Sequence, residues 1–161
     1  MEVTPTIQTL SEKKLVGKRK TMSFVVNKTG ELWIEFMLLR KTIRNNSTKE
    51  LISLQNYRPN YFTEFDPANE FEKWAAVEVS DYDGVPPGME TFTLEGGLYA
   101  TFNYKGSSAN TGIFQFIFRT WLPNSGYVLD DRPHFEILGE NYRNNDPESE
   151  EEIWIPIKPR M

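Results

Sequence analysis

The sequence predicts an α+β fold: two pseudo-symmetric strand–helix–strand–strand modules that form one antiparallel sheet, carry two main helices and leave a central ligand groove. Three observations predict it. Strand-like runs surround one helical run in each half, and the same order occurs twice. Thr29-Gly30 heads the first helical run and recurs as Thr111-Gly112, 82 positions later. The block over 66–74 recurs over 146–154, 80 positions later, with five of nine residues identical, among them Trp74 and Trp154. A module with one helix is small for stability on its own. Two of them share a pseudo-twofold axis, and the cleft at such an axis is a natural ligand site.

Residues 1–12 read as a short lead-in, and residues 14–24 as a strand. Asn27-Lys28-Thr29-Gly30 supplies capping residues. Leu32, Phe36, Leu39 and Ile43 then fall on one face of an amphipathic helix over 31–44, which Asn45-Asn46-Ser47 stops. Residues 51–57 are a strand, and 58–69, with two prolines, are a loop. Residues 71–79 are a strand with Ala75, Val77 and Val79 on one face and Trp74, Ala76 and Glu78 on the other. Asp83-Gly84 and Pro86-Pro87-Gly88 mark the boundary between the halves. Residues 97–104 open the second half as a strand. Ile113, Phe116, Ile117 and Trp121 give a second helix, which Pro123 ends. Strands follow over 134–138 and 152–157, separated by a polar loop.

A chain of 161 residues fits one domain over 1–161, with internal repeats at about 13–80 and 90–158. It has no cysteine and one histidine, so no thiolate nucleophile and no multi-histidine metal site is available, and no cofactor or metal is expected. No apolar run approaches a membrane span, and the first residues lack the layout of a signal peptide, so the expected location is cytoplasmic. Residues 1–80 carry a net charge of +2 and residues 81–161 of −7, an acidic balance that argues against direct nucleic-acid binding. The basic cluster Lys13, Lys14, Lys18, Arg19 and Lys20 reads as the solvated face of a strand. Glu148, Glu150, Glu151 and Glu152 read as a polar loop entering the last strand, not a calcium loop. The 22 aromatic residues (11 Phe, 7 Tyr, 4 Trp) suit either a dense core or a ring-lined pocket.

The stretches Lys14-Leu15-Val16-Gly17-Lys18, Leu32-Trp33-Ile34-Glu35-Phe36-Met37 and the run over 71–79 resemble, in order and spacing, the GyrI-like effector-binding family. So do the second-half runs over 96–106, 121–127, 132–136 and 152–157, and these are the more specific ones. The family is a ligand-binding module shared with multidrug-responsive transcription regulators of bacteria. The resemblance implies a groove lined by aromatic residues with an acidic residue near its base, which takes up amphipathic and often cationic small molecules. Regulators join the module to a helix-turn-helix. Both helices here are used in the repeat, so the chain resembles a stand-alone member. Some stand-alone members hydrolyse electrophilic, cyclopropane-bearing toxins.

Glu136 is the leading candidate. It lies between Phe135 and Ile137 on one strand, so its side chain points opposite to theirs. If those two face the helices, Glu136 faces the groove, and the family's acidic groove residue falls on this position. A carboxylate among rings titrates high, and can pair with a bound cation or serve as general base. Trp74 and Trp154, as repeat equivalents, are candidate walls of one cleft that stack on a planar or cationic ligand. Tyr57 lies near the repeat equivalent of Glu136 and, with Tyr99, is a candidate hydrogen-bond donor; Trp33, in the first helical turn, is a candidate rim residue. Phe36, Phe116, Phe118 and Trp121 are assigned mainly to the core. A site of His134 with Asp130 or Asp131 lacks a nucleophile elbow. The expected function is small-molecule binding. The alternative is hydrolysis of an electrophile, with Glu136 activating water and Tyr57 or Tyr99 polarising the substrate. Nothing in the sequence marks a protein partner.

Overall fold

The computed structural model describes residues 3–108 and 110–161. The elements are β1 (Thr6–Leu10), β2 (Lys13–Met22), α1 (Thr29–Leu39) with a closing 3-10 turn (Arg40–Thr42), β3 (Leu51–Asn56), β4 (Phe71–Val79), β5 (Glu90–Leu94) and β6 (Gly97–Lys105). Then come α2 (Gly112–Phe116), a π turn (Ile117–Trp121), α3 (Leu122–Asn124), β7 (Tyr127–Leu129), β8 (His134–Leu138) and β9 (Glu150–Pro159). The sheet is antiparallel, in the order β1-β6-β9-β8-β3-β4-β2-β5, with β7 beside β9. The order β6-β9-β8 mirrors β2-β4-β3, which puts the pseudo-twofold axis between β8 and β3. The α+β fold is the one the sequence predicts, and the strands at 71–79 and 134–138 have the predicted bounds.

Three short strands were not anticipated. The lead-in contains β1, the stretch after the half boundary contains β5, and β7 follows α3. β1 and β5 have the same succession of exposed and buried residues, ending in buried Leu10 and Leu94. Each is five residues long and mostly polar, so its hydrophobic alternation is weak. Their placement is the informative part. β1 pairs with β6 of the second half, and β5 with β2 of the first. Only residues 11–12 join β1 to β2, yet the two stand near opposite ends of the strand order. The three Cα–Cα steps from Leu10 to Lys13 span at most about 11 Å, so the sheet must curl until its ends meet.

Curling gives the sheet two unlike faces. The outer face carries the helices: α1 packs with Val16, Met22, Ala75, Val77 and Val79, and α2 with Ala100, Phe102, Ile153, Ile155 and Ile157. The inner face closes on Leu15, Ile52, Leu54, Trp74, Leu94, Tyr99, Phe135 and Trp154. Gly17 lets β2 press against β4 on this side, where an added Cβ would stand 2.7 Å from the Ala76 Cβ.

Both helices differ from their predicted extents. α1 begins two residues earlier, where Asn27 Oδ1 accepts the Thr29 N–H at 2.9 Å, and it ends at Leu39 in the 3-10 turn. In the second half Asn110 Oδ1 accepts the Gly112 N–H at the same distance. Pro123 does not end the second helix, which continues to Asn124. The preceding π turn shifts the hydrogen bonds, with the Leu122 N–H on the Ile117 carbonyl, and so accommodates a residue with no N–H to give.

Candidate functional site

Glu136 faces the helices. The expectation that Phe135 and Ile137 point toward the helices is reversed: both pack in the inner cluster, so alternation puts Glu136 on the outer face. Its strand β8 abuts the pseudo-twofold axis, so Glu136 stands in the gap between α1 and the α2–α3 helix. It is cross-strand to Ser53 on β3 and to Ile153 on β9. The Gln55 amide donates to Glu136 Oε1 at 3.3 Å and lies within 3.3 Å of the Ser53 hydroxyl. Glu136 is half-buried. Burial drives its carboxyl up to about 7, with Glu151 adding to the rise and Lys73 and Gln55 opposing it.

A cluster of rings gathers on His134, two residues from Glu136 on the same face of β8. Tyr57 follows β3 and contacts His134 edge-on at 5.0 Å and Phe62 at 4.8 Å. Phe62 comes from the loop between β3 and β4. It stacks on His134 at 5.3 Å and on Phe118 of the π turn at 5.7 Å. A first-half loop thus reaches across the axis to a second-half helix. Burial, reinforced by Glu136 and Tyr61, raises the Tyr57 phenol far above its ordinary range. His134 is buried and driven down to about 3, so it is a neutral ring at ordinary pH. The aspartates proposed beside it serve elsewhere: Asp130 accepts from Arg132 Nε at 2.9 Å and Asp131 is exposed.

Trp74, Trp154 and Tyr99 do not join Glu136. They occupy the inner face, where Phe135 stacks on Trp154 at 5.3 Å and Trp74 meets Phe92 at the same separation. Even-numbered β4 and β9 residues face inward while Glu136 faces outward, because β8 pairs Phe135, not Glu136, with Trp154. The two indoles are equivalent in detail: Trp74 donates to Glu72 at 2.6 Å and Trp154 to Glu152 at 3.0 Å. Tyr99 donates to the Pro133 carbonyl at 2.8 Å, under the Arg132 guanidinium; burial raises its phenol to about 12. Trp33 shares the helix-bearing side with Glu136 and packs edge-on against Phe36 at 5.7 Å.

The residues near Glu136 that the sequence did not single out are Gln55, Ser53, Lys73 and Phe62, and Phe118, assigned to the core, stacks on Phe62. Three of them depend on cross-strand register, which no local pattern carries. Phe62 left a signal, since the 58–70 loop holds Tyr61, Phe62 and Phe65 within five residues. Two open cavities lie outside this centre, and neither is lined by Glu136 or by these rings. One, of about 390 Å³, has Glu50, Tyr104, Lys105 and Glu151 on its walls. The other, of about 580 Å³, opens by Arg19, Glu72, Trp74 and Phe92 on the inner face.

A family model described as the GyrI-like small molecule binding domain matches residues 4–158. The chain belongs to the GyrI-like family. The transcriptional regulator BrlR of Pseudomonas aeruginosa is 32% identical over 93 residues, which are 56% of this chain and 34% of BrlR. The match thus spans about a third of that relative's length. Among solved structures, SAV2435 bound to tetraphenylphosphonium superposes with a TM-score of 0.74 at 16% identity, covering 98% of this chain and 94% of that one. The EcmrR C-terminal domain gives a TM-score of 0.72 at 15% identity, covering 99% and 100%. At such identities these two show a shared fold. The GyrI-like domain described here is of the small-molecule-binding kind. Among the described residues no helix is long and apolar enough to cross a membrane.

Proposed function

We propose that this GyrI-like domain holds an amphipathic aromatic molecule in the groove between α1 and the α2–α3 helix, with Glu136 as its charge partner. The observation that carries the reading is a high-titrating carboxyl on the strand beside the pseudo-twofold axis, next on its face to His134, whose ring is packed by Tyr57, Phe62 and Phe118. Rings attract flat or cationic ligands through their faces, and a partly desolvated carboxylate favours a cation. Phe62 sits where such a ligand would stack, so binding swings Phe62 and its loop outward and puts the ligand ring in its place.

Hydrolysis is the weaker reading. Of its two proposed electrophilic partners, Tyr99 lies on the opposite face, and Tyr57 is a poor proton donor with its phenol held so high. Calorimetric titration with tetraphenylphosphonium at about pH 8, where Glu136 is ionised, tests the proposal. Wild type binds, and Glu136→Gln weakens binding about tenfold or more. Equal binding by the two proteins would remove Glu136 from the site.

A further inference from the structure

The groove floor holds a second charge. Lys73 stands on β4, on the helix-bearing side and directly cross-strand to Gln55, which itself donates to Glu136. One amide side chain therefore separates an ammonium from the carboxyl. Lys73 is half-buried; burial holds its amine below the ordinary lysine value, and Glu136 and Glu151 oppose that by favouring the ammonium. Its side chain makes no hydrogen bond and no ion pair within 4 Å among the described residues. Lys20, its cross-strand neighbour on β2, is taken by Glu35 on α1 at 2.7 Å, so Glu35 is already engaged. Glu136 is bonded through Oε1 alone. The one unpartnered side-chain atom sealed from solvent among the described residues is Arg132 Nη1, so the Lys73 ammonium and Glu136 Oε2 both remain reachable.

The floor thus offers a donor cation and an acceptor anion side by side, neither satisfied by the other at contact distance. His134 and Tyr57, the polar rings facing them, are neutral, and Glu151, the other carboxyl acting on both, lines the neighbouring cavity with Glu50 and Lys105. A permanent lipophilic cation answers Glu136 only, and meets repulsion from Lys73 in a partly desolvated site. A molecule with an aromatic body, a cationic centre and a carboxylate answers both.

We infer that the groove selects amphoteric aromatic molecules, whose carboxylate or comparable acceptor meets Lys73 and whose cationic centre meets Glu136, over permanent cations of the same size. This rests on the groove being the ligand site. A rhodamine free acid, which is a zwitterion, and its methyl ester, which is a permanent cation, form a matched pair of probes. Calorimetry at about pH 8 compares wild type, Lys73→Met and Lys73→Gln. Wild type binds the acid about fivefold tighter than the ester or better. Both variants weaken the acid and tighten the ester, so the preference vanishes or reverses. A packing effect alone would move both dyes together, and Lys73→Gln keeps a polar head should methionine disturb the fold. An ester that binds as well as the acid in all three proteins, and loses affinity in Glu136→Gln, overturns this inference and leaves the groove reading standing. If neither dye nor tetraphenylphosphonium binds the folded protein, both fall.

Discussion

The two halves share a frame and differ in what they bring to the axis. In the frame they agree closely: Asn27 and Asn110, each one residue before its helix's cap position, accept the first helical N–H in the same geometry, and Trp74 and Trp154 bond to Glu72 and Glu152. Asp66 and Asp146 each accept an N–H from two residues on at 2.8 Å. At the axis they part. β3 offers Ser53 and Gln55, which do not titrate; facing them β8 offers Glu136 and His134. The first-half loop between β3 and β4 is aromatic and crosses to Phe118, while its counterpart over 139–149 is polar. α1 is regular where the second helix carries a π turn. Symmetry builds the scaffold, and departures from it build the candidate site.

The largest expected effect tests the symmetric part. Trp74→Ala and Trp154→Ala each remove a buried indole from the inner cluster and should cost about 3–5 kcal/mol, alike in both halves, by denaturant unfolding. A cost at one site only would mean that the frame is carried by one half.

A smaller effect tests the asymmetry. Glu136 titrates higher folded than unfolded, so folding takes up a proton and stability falls as pH rises from the ordinary carboxylate range toward about 7. That loss is about 2 kcal/mol once partial solvent exposure is allowed for. His134 titrates lower folded than unfolded, so its contribution is complete above about pH 6.5 and is lost on acidification toward about 3. The two slopes oppose each other between the ordinary carboxylate and histidine values, and wild type should show a plateau there. In Glu136→Gln the plateau becomes a rise with pH that levels off near neutrality. A plateau that survives this substitution would show that Glu136 does not titrate as described.

Phe62→Ala should strengthen tetraphenylphosphonium binding severalfold, because the ligand no longer displaces a ring, at a cost of about 1–2 kcal/mol in stability. Weaker binding would make Phe62 part of the ligand's wall. The smallest effect returns to the frame. Asn27→Ala and Asn110→Ala each lose one bond to the first helical N–H and should cost about 0.5–1 kcal/mol in thermal unfolding, with neither moving ligand affinity beyond error.

The frame was legible because the repeat writes it twice. The doubled Thr-Gly and Asp-Pro blocks and the residue types around them carry strand order, helix number and family resemblance together. The π turn was hidden, because Ile113, Ile117 and Trp121 at four-residue steps suit an ordinary helix equally well. The site was half legible. Alternation on β8 sets Glu136 apart from Phe135 and Ile137, yet which set faces the helices depends on the curl of the sheet. That curl comes from β1 and β5 exchanging between halves, a long-range pairing of short polar strands. Taken with the faces inverted, the alternation groups Trp74, Trp154 and Tyr99 with a carboxyl on the opposite face and gives no sign of Lys73, Gln55 and Phe62.

The central claim is one of location, and a crystal structure of the protein soaked with tetraphenylphosphonium tests it most directly. The account predicts the phosphonium over Glu136, between Tyr57 and Phe118, with Phe62 swung out of the position it now fills. Density on the inner face against Trp74 and Phe92, in the cavity beside Arg19, with Phe62 still stacked on His134, would contradict it.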